Sequence, residues 1–211
     1  MTTILAIESA IAGGSATVAI DDKIACRWVG EGGVSTAEEL LPAIHSILMN
    51  AGINSSGLDV IAVSNGPGSF TGIRIGLATA IGLSRALGVP CIGVSSPAAA
   101  ATCWSDRFPF TVVVPFGKND IVRQRFDDAG EPEAAVAEPA EIFLDHAKET
   151  EEDVLAHADI MQRLNRIEHF PHFIDLGRDW SRYIALAAMS EFSGLSTPAP
   201  FYVQRSGAAG K

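Results

Sequence analysis

The sequence is short of charge, and of positive charge above all. Charged residues make up 19% of its 211 residues, and 15 Lys and Arg stand against 25 Asp and Glu, a formal net charge of −10. Broad binding along a phosphate backbone needs cationic side chains in excess, so a protein that coats nucleic acid is excluded, although a local basic patch is not. Cysteine is equally scarce: Cys26, Cys91 and Cys103 are far apart and form no C-x-x-C pair. That spacing excludes a disulfide framework and a cysteine zinc site and fits a reducing compartment. No stretch approaches the roughly 20 uninterrupted apolar residues of a membrane span, because Arg74 and Arg85 interrupt the best candidate. The first apolar run contains Glu8 and has no basic residues before it, unlike a secretory signal. A cytoplasmic protein without a membrane segment is expected.

What is present is apolar. Hydrophobic residues make up 47% of the chain, enough for a sizeable core. Residues 1–104 carry only seven acidic and four basic side chains, and the composition shifts near "CWSDRFP", Cys103 to Pro109. Two domains are therefore expected, 1–104 and a smaller 105–211. In the first, "TILAIES", "SATVAI" and "KIACRWV" read as three strands joined by short turns, hence antiparallel neighbours. "STAEELLPAIHSILMNAG" has a capping-box signature in Thr36 and Glu39 and closes on Gly52. "DVIAVSN" reads as a buried strand, "IRIGLATAIGLSRALG" as a helix, "PCIGVSS" as a further strand and "PAAAATCW" as a short helix. Three antiparallel strands followed by helix, strand, helix, strand, helix is the order of a ribonuclease-H-like α/β domain. In the second half "TVVVPF" and "DIVRQRF" read as a strand pair, "PAEIFLDHAKE" as a short helix and "RDWSRYIALAAMSEFSG" as an amphipathic helix ending on Gly194. "EDVLAHADIMQRLNRIEHF" fits either helix or strand–helix, and no internal repeat is visible.

The chemistry centres on "SNGPGSFTGIRIG", Ser64 to Gly76. It has no G-K-[ST] and so is not a Walker A loop, and Gly72 falls one place late for G-x-G-x-x-G. Helix-start amides still allow an anion, which leaves open a phosphate site at Glu8, Ser9, Gly66 and Gly68 and weak ATP or ADP binding. The alternative is packing. Gly72, Gly76 and Ala80 form a row of small residues that admits a close neighbour, and the helix is apolar nearly all round. One sheet covers only one face, so a two-helix surface for another subunit is expected at Leu40, Leu41, Ile44, Ile47, Leu48, Ile73, Gly76, Leu77, Ala80 and Ile81. Glu8 with Glu38 or Glu39 is too incomplete a carboxylate set for a two-metal nuclease. Of the five histidines, His45, His146, His157, His169 and His172, only His169 and His172 stand three apart, and Pro171 between them argues against a helical ligand pair, so no metal site is expected. Ser9 and Ser69 lack a His/Asp arrangement or a nucleophile elbow, so no catalytic residue is assigned.

"ILAIES", "EELLPAIHSILMNAG", "VIAVSNGPGSFTGIRIGLATAIGLSRALGVPCIGVSS" and "PAPFYVQR" together resemble the bacterial TsaB (YeaZ) family, closely over residues 1–100 and loosely beyond. This is the glycoprotease-like branch of the actin and sugar-kinase superfamily. The resemblance implies a ribonuclease-H-like fold of two domains, with the second small and diverged. It further implies a non-catalytic role, with no cofactor of its own, in making N6-threonylcarbamoyladenosine in tRNA. The implied partners are a catalytic TsaD-type paralogue held through the two first-domain helices and a TsaE-type ATPase. A homodimer is expected when the chain is alone, and tRNA is met only through the complex. TsaD-type subunits carry H-x-x-x-H in the first helix, whereas "TAEELLPAIH" keeps only His45. Glu8-Ser9-Ala10 replaces the usual D-T-S, Thr36 replaces a usual histidine, and "PFGKND" stands where D-A-R is common.

Overall fold

A computed structural model describes residues 1–11, 13–31, 36–147, 149–164, 172–190 and 197–203. Strands β1 (Thr3–Glu8), β2 (Ser15–Ile20) and β3 (Lys23–Val29) form the expected antiparallel meander. Helix α1 (Thr36–Asn50), strand β4 (Val60–Gly66), helix α2 (Phe70–Leu87), strand β5 (Cys91–Ser95) and helix α3 (Ser96–Thr102) follow in the expected order. β4 lies parallel to β1, and β5 parallel to β4. The sheet order is β3-β2-β1-β4-β5. The Thr36 side chain of the expected capping box lies outside the described residues. α2 ends as its sequence suggests, with Gly88 at φ 71° and its N–H donating to the Ser84 carbonyl.

The second half repeats this plan. Strands β6 (Phe110–Phe116), β7 (Asp120–Phe126) and β8 (Val136–Pro139) are antiparallel, followed by α4 (Ala140–Ala147), β9 (Asp153–Ala156), α5 (Ala158–Leu164), β10 (Phe173–Asp175) and α6 (Ser181–Met189). β6, β9 and β10 run parallel, giving the order β10-β9-β6-β7-β8. A structural repeat is therefore present although the sequence shows none: the two halves share strand order and directions without sharing residues. The ambiguous segment resolves as strand–helix, β9–α5. Gly194, the expected end of the last helix, lies outside the described residues.

Alternation along the central strands builds three layers of core. Leu5 and Ile7 of β1 point to one face, where they pack with Leu40, Ile44, Ile73 and Leu77 of α1 and α2. Ile4 and Ala6 point to the other, joining Val112 and Val114 of β6, Ala99 of α3 and Ile184 of α6. Val113 faces outward from β6, to Phe143 of α4 and Ile160 of α5. α3 and α6 thus lie between the two sheets and against each other, with α6 returning to cover β1, β2 and β4. Buried polar contacts fix that return: the Thr17 and Ser181 hydroxyls are 2.7 Å apart, and the Ser181 N–H donates to Ser15 Oγ at 2.9 Å. No helix among the described residues is long and apolar enough to cross a membrane.

Candidate functional site at the glycine turn

The C-terminal ends of β1 and β4 and the start of α3 converge behind the glycine turn. Glu8, the last residue of β1, is 1% exposed. Its Oε1 accepts the N–H groups of Ala10 (2.5 Å) and Ile11 (3.2 Å), and its Oε2 accepts the Ser96 hydroxyl at 2.9 Å. Ser96 Oγ lies 2.7 Å from Ser64 Oγ, which in turn accepts the Gly66 N–H at 3.2 Å. Burial pushes the Glu8 carboxyl above its ordinary range, opposed by hydrogen bonds from Ser96, Ala10, Ile11 and Ser64. Amides that turn inward at such a loop form an anion nest. Here the chain's own carboxylate occupies it.

The glycines face the same β1–β2 connection. A Cβ on Gly72 would lie 2.0 Å from the Ser9 carbonyl oxygen, one on Gly76 2.3 Å from Ser9 Oγ, and one on Gly68 2.4 Å from the Ala10 carbonyl oxygen. Ser9 Oγ donates to the Gly72 carbonyl at 2.8 Å, and the Ser69 N–H donates to the Ala10 carbonyl at 2.7 Å. Ser69 caps α2 by accepting the Gly72 N–H at 3.2 Å. On its remaining side the turn meets the C-terminal segment, where the Phe201 N–H donates to the Asn65 carbonyl at 2.7 Å. Glu8, Ser9, Gly66 and Gly68 are thus brought together, and a Cβ on Gly66 or Gly68 would meet the backbone oxygen of Phe201 or Ala10. The small-residue row Gly72, Gly76, Ala80 does serve close approach, but what approaches is the Ser9–Ala10 backbone and not a second helix.

Eight of the ten expected interface residues point inward. Leu40, Ile44, Ile47, Leu48, Ile73, Gly76, Leu77 and Ala80 are buried against the sheet or the β1–β2 connection, Leu77 at 7% exposure. The correction is physical: the sheet takes the more continuous apolar stripe of each helix. Ile81 is half-buried and Leu41 is 52% exposed. The outward surface includes Leu41 and Met49 of α1 and, on α2, Phe70 with the exposed row Ala78, Gly82 and Ala86. Gly82 has no atom within 4 Å of a Cβ built on it. Sequence reasoning missed this second row, although its four-residue spacing was there to find.

Among the described residues no group of three or more His, Cys, Asp or Glu could hold a metal ion. His45 is exposed on α1, whereas His157 is buried, with Nδ1 accepting the Asp159 N–H at 3.0 Å to start α5. His169 lies outside the described residues.

Two sheets of one topology with paired helices between them define a ribonuclease-H-like α/β protein. Residues 35–200 match the family described as TsaD, tRNA N6-adenosine threonylcarbamoyltransferase. That match covers well over half of the chain, and the chain belongs to this family. It is 47% identical over 58 residues to the tRNA threonylcarbamoyladenosine biosynthesis protein TsaB of Buchnera aphidicola, a stretch that is 28% of each chain. With TsaB of Escherichia coli it shares 41% identity over 59 residues, 28% of this chain and 26% of that one. The matched stretches thus span little more than a quarter of those relatives. YeaZ from Pseudomonas aeruginosa superposes with a TM-score of 0.67 at 20% identity, over 96% of this chain and 100% of that one, which extends the common fold to both halves.

Proposed function

We propose that this protein is a non-catalytic subunit supporting a TsaD-type paralogue in the formation of N6-threonylcarbamoyladenosine in tRNA. The names of its TsaB relatives supply the process. The observation that carries the non-catalytic part is the glycine turn, where the Ser9–Ala10 backbone takes the space over Gly68 and Gly72 and Glu8 binds the amides of that same β1–β2 connection. A phosphate there would face a buried carboxylate at close range and would have to displace backbone. The partner surface in this reading is the outward face of α1 and α2, where Leu41, Met49 and Phe70 are each about half exposed or more. Residues 1–104 carry that interface, and 105–211 form the diverged second domain, from which α6 returns. The TsaE-type ATPase joins the pair, tRNA is met through the complex in the cytoplasm, and the face self-associates when the chain is alone.

Ala78→Glu places a charge on the open face without touching the core. Capture of the paralogue by the tagged variant is expected to fall at least tenfold, about 1.4 kcal/mol of association, with the denaturation midpoint unchanged. Undiminished capture would remove the face from the interface. Leu77→Glu cannot serve, since its side chain is in the core. The competing reading, a nucleotide-binding ATPase or kinase-like enzyme, is separated by calorimetric titration with ATP and ADP, with and without magnesium. No saturable heat at micromolar protein is expected, and tight binding would restore the enzyme reading.

A further inference from the structure

The glycine turn is held on three sides by elements of different permanence. Behind it stand Glu8, Ser64 and Ser96, and beneath it lies the Ser9–Ala10 backbone; all are buried. The third side is the segment around Phe201, which reaches the turn from the far end of the chain. Its backbone N–H donates to the Asn65 carbonyl at 2.7 Å, and its carbonyl oxygen lies 2.7 Å from where a Cβ of Gly66 would be. Gly66 has φ 113°, so the absent side chain both permits the turn and gives the segment its seat. Val203 packs on the core between the sheets, whereas Tyr202 is 45% exposed. The Tyr202 ring lies 5.2 Å from that of Phe70, the first residue of α2, and the Arg74 guanidinium sits 3.7 Å over the same Phe70 ring.

We propose that the segment Pro200–Val203 is a latch that closes the glycine turn and sets the outward start of α2. Docked, it stacks Tyr202 on Phe70 and holds Phe70 under Arg74; released, it frees the turn and disperses this aromatic–cation cluster. The segment meets the turn through the Phe201 N–H and α2 through the Tyr202–Phe70 contact; local contacts of this kind open at lower free energy than whole sheets, so the latch opens at the turn while Val203 stays on the core. Phe70 belongs to the outward face of α2, so latch closure prepares that face for a partner. This last consequence rests on the function proposed above; the closure itself does not.

Hydrogen exchange on the full chain tests both parts. Phe201→Pro removes the donated N–H, and Tyr202→Ala removes the ring without altering the backbone bond. In Phe201→Pro the amides of Gly66, Ser69, Gly72 and Ile73, all hydrogen-bonded in the closed turn, are expected to exchange at least tenfold faster. Those of β6, β7 and β9 should be unchanged. Tyr202→Ala is expected to speed exchange at α2's first turn, and it decides the matter if the proline variant fails to fold. Unchanged exchange at the turn overturns the latch, whatever capture shows. Faster exchange with undiminished capture of the TsaD-type paralogue overturns the coupling to the partner face. Faster exchange with capture reduced severalfold supports both. If the unmodified chain captures no paralogue, the proposed function fails, while the exchange result still decides the latch.

Discussion

Gly72→Ala is expected to destabilise the isolated chain by about 2–3 kcal/mol, seen as a lowered urea midpoint with unchanged slope. Helix propensity alone predicts the opposite sign, since alanine inside a helix is favoured over glycine by about 1 kcal/mol. The collision decides between them. The new methyl would lie 2.0 Å from the Ser9 carbonyl oxygen, and that backbone has little room to retreat, because the next two amides are held by Glu8. Gly76→Ala should be milder. There the nearest atom is the Ser9 hydroxyl, at 2.3 Å, which can rotate away at the loss of its hydrogen bond to the Gly72 carbonyl. A neutral hydrogen bond is worth about 0.5–1.5 kcal/mol net, partly offset by alanine's propensity. A stabilised Gly72→Ala monomer that no longer captures its partner would instead turn the row outward, toward another subunit.

That pair of substitutions marks where the sequence stopped being legible. The order from β1 to α3 could be read because each element is long enough to show its period, with caps and turns between. β10 is only three residues, Phe173–Asp175, and β8 is four, Val136–Pro139 within an acidic stretch; neither shows a usable alternation. The repeat was hidden because topology was retained while its markers were not: the turn after β4 is rich in glycine, whereas the one after β9 is Ala156-His157-Ala158. The inward side of α2 was illegible for another reason. The helix is apolar nearly all round, and its orientation is set by Ser9, 63 residues before the Gly72 carbonyl it binds. The same distance hid the role of Glu8, which looked like an acid ending a strand. Its donors come from places far apart in the chain, the amides just after it, Ser64 and Ser96, the last 88 residues on.

Glu8→Ala is expected to cost about 3 kcal/mol or more, because it leaves the Ala10 and Ile11 amides and the Ser96 hydroxyl buried without their acceptor. Each orphaned buried donor costs about 1–3 kcal/mol. Glu8→Gln should behave differently. Its amide oxygen can accept both loop N–H groups, its NH2 can donate to Ser96 Oγ, and no charge remains buried. The contrast has a pH dependence of definite sign. The folded carboxyl titrates above its ordinary 4.5, so above that pH the folded state holds more protons than the unfolded one. Glu8's contribution is therefore complete below about pH 4.5 and declines as pH rises through the folded value. Denaturant midpoints of wild type and Glu8→Gln should nearly coincide at pH 4.5, and the variant should gain on the wild type toward pH 7.5. If the wild type gained instead, the donors would outweigh desolvation, and Glu8 would be a comfortable anion in its nest. With the expected sign, burial and not the surrounding donors dominates the titration of Glu8.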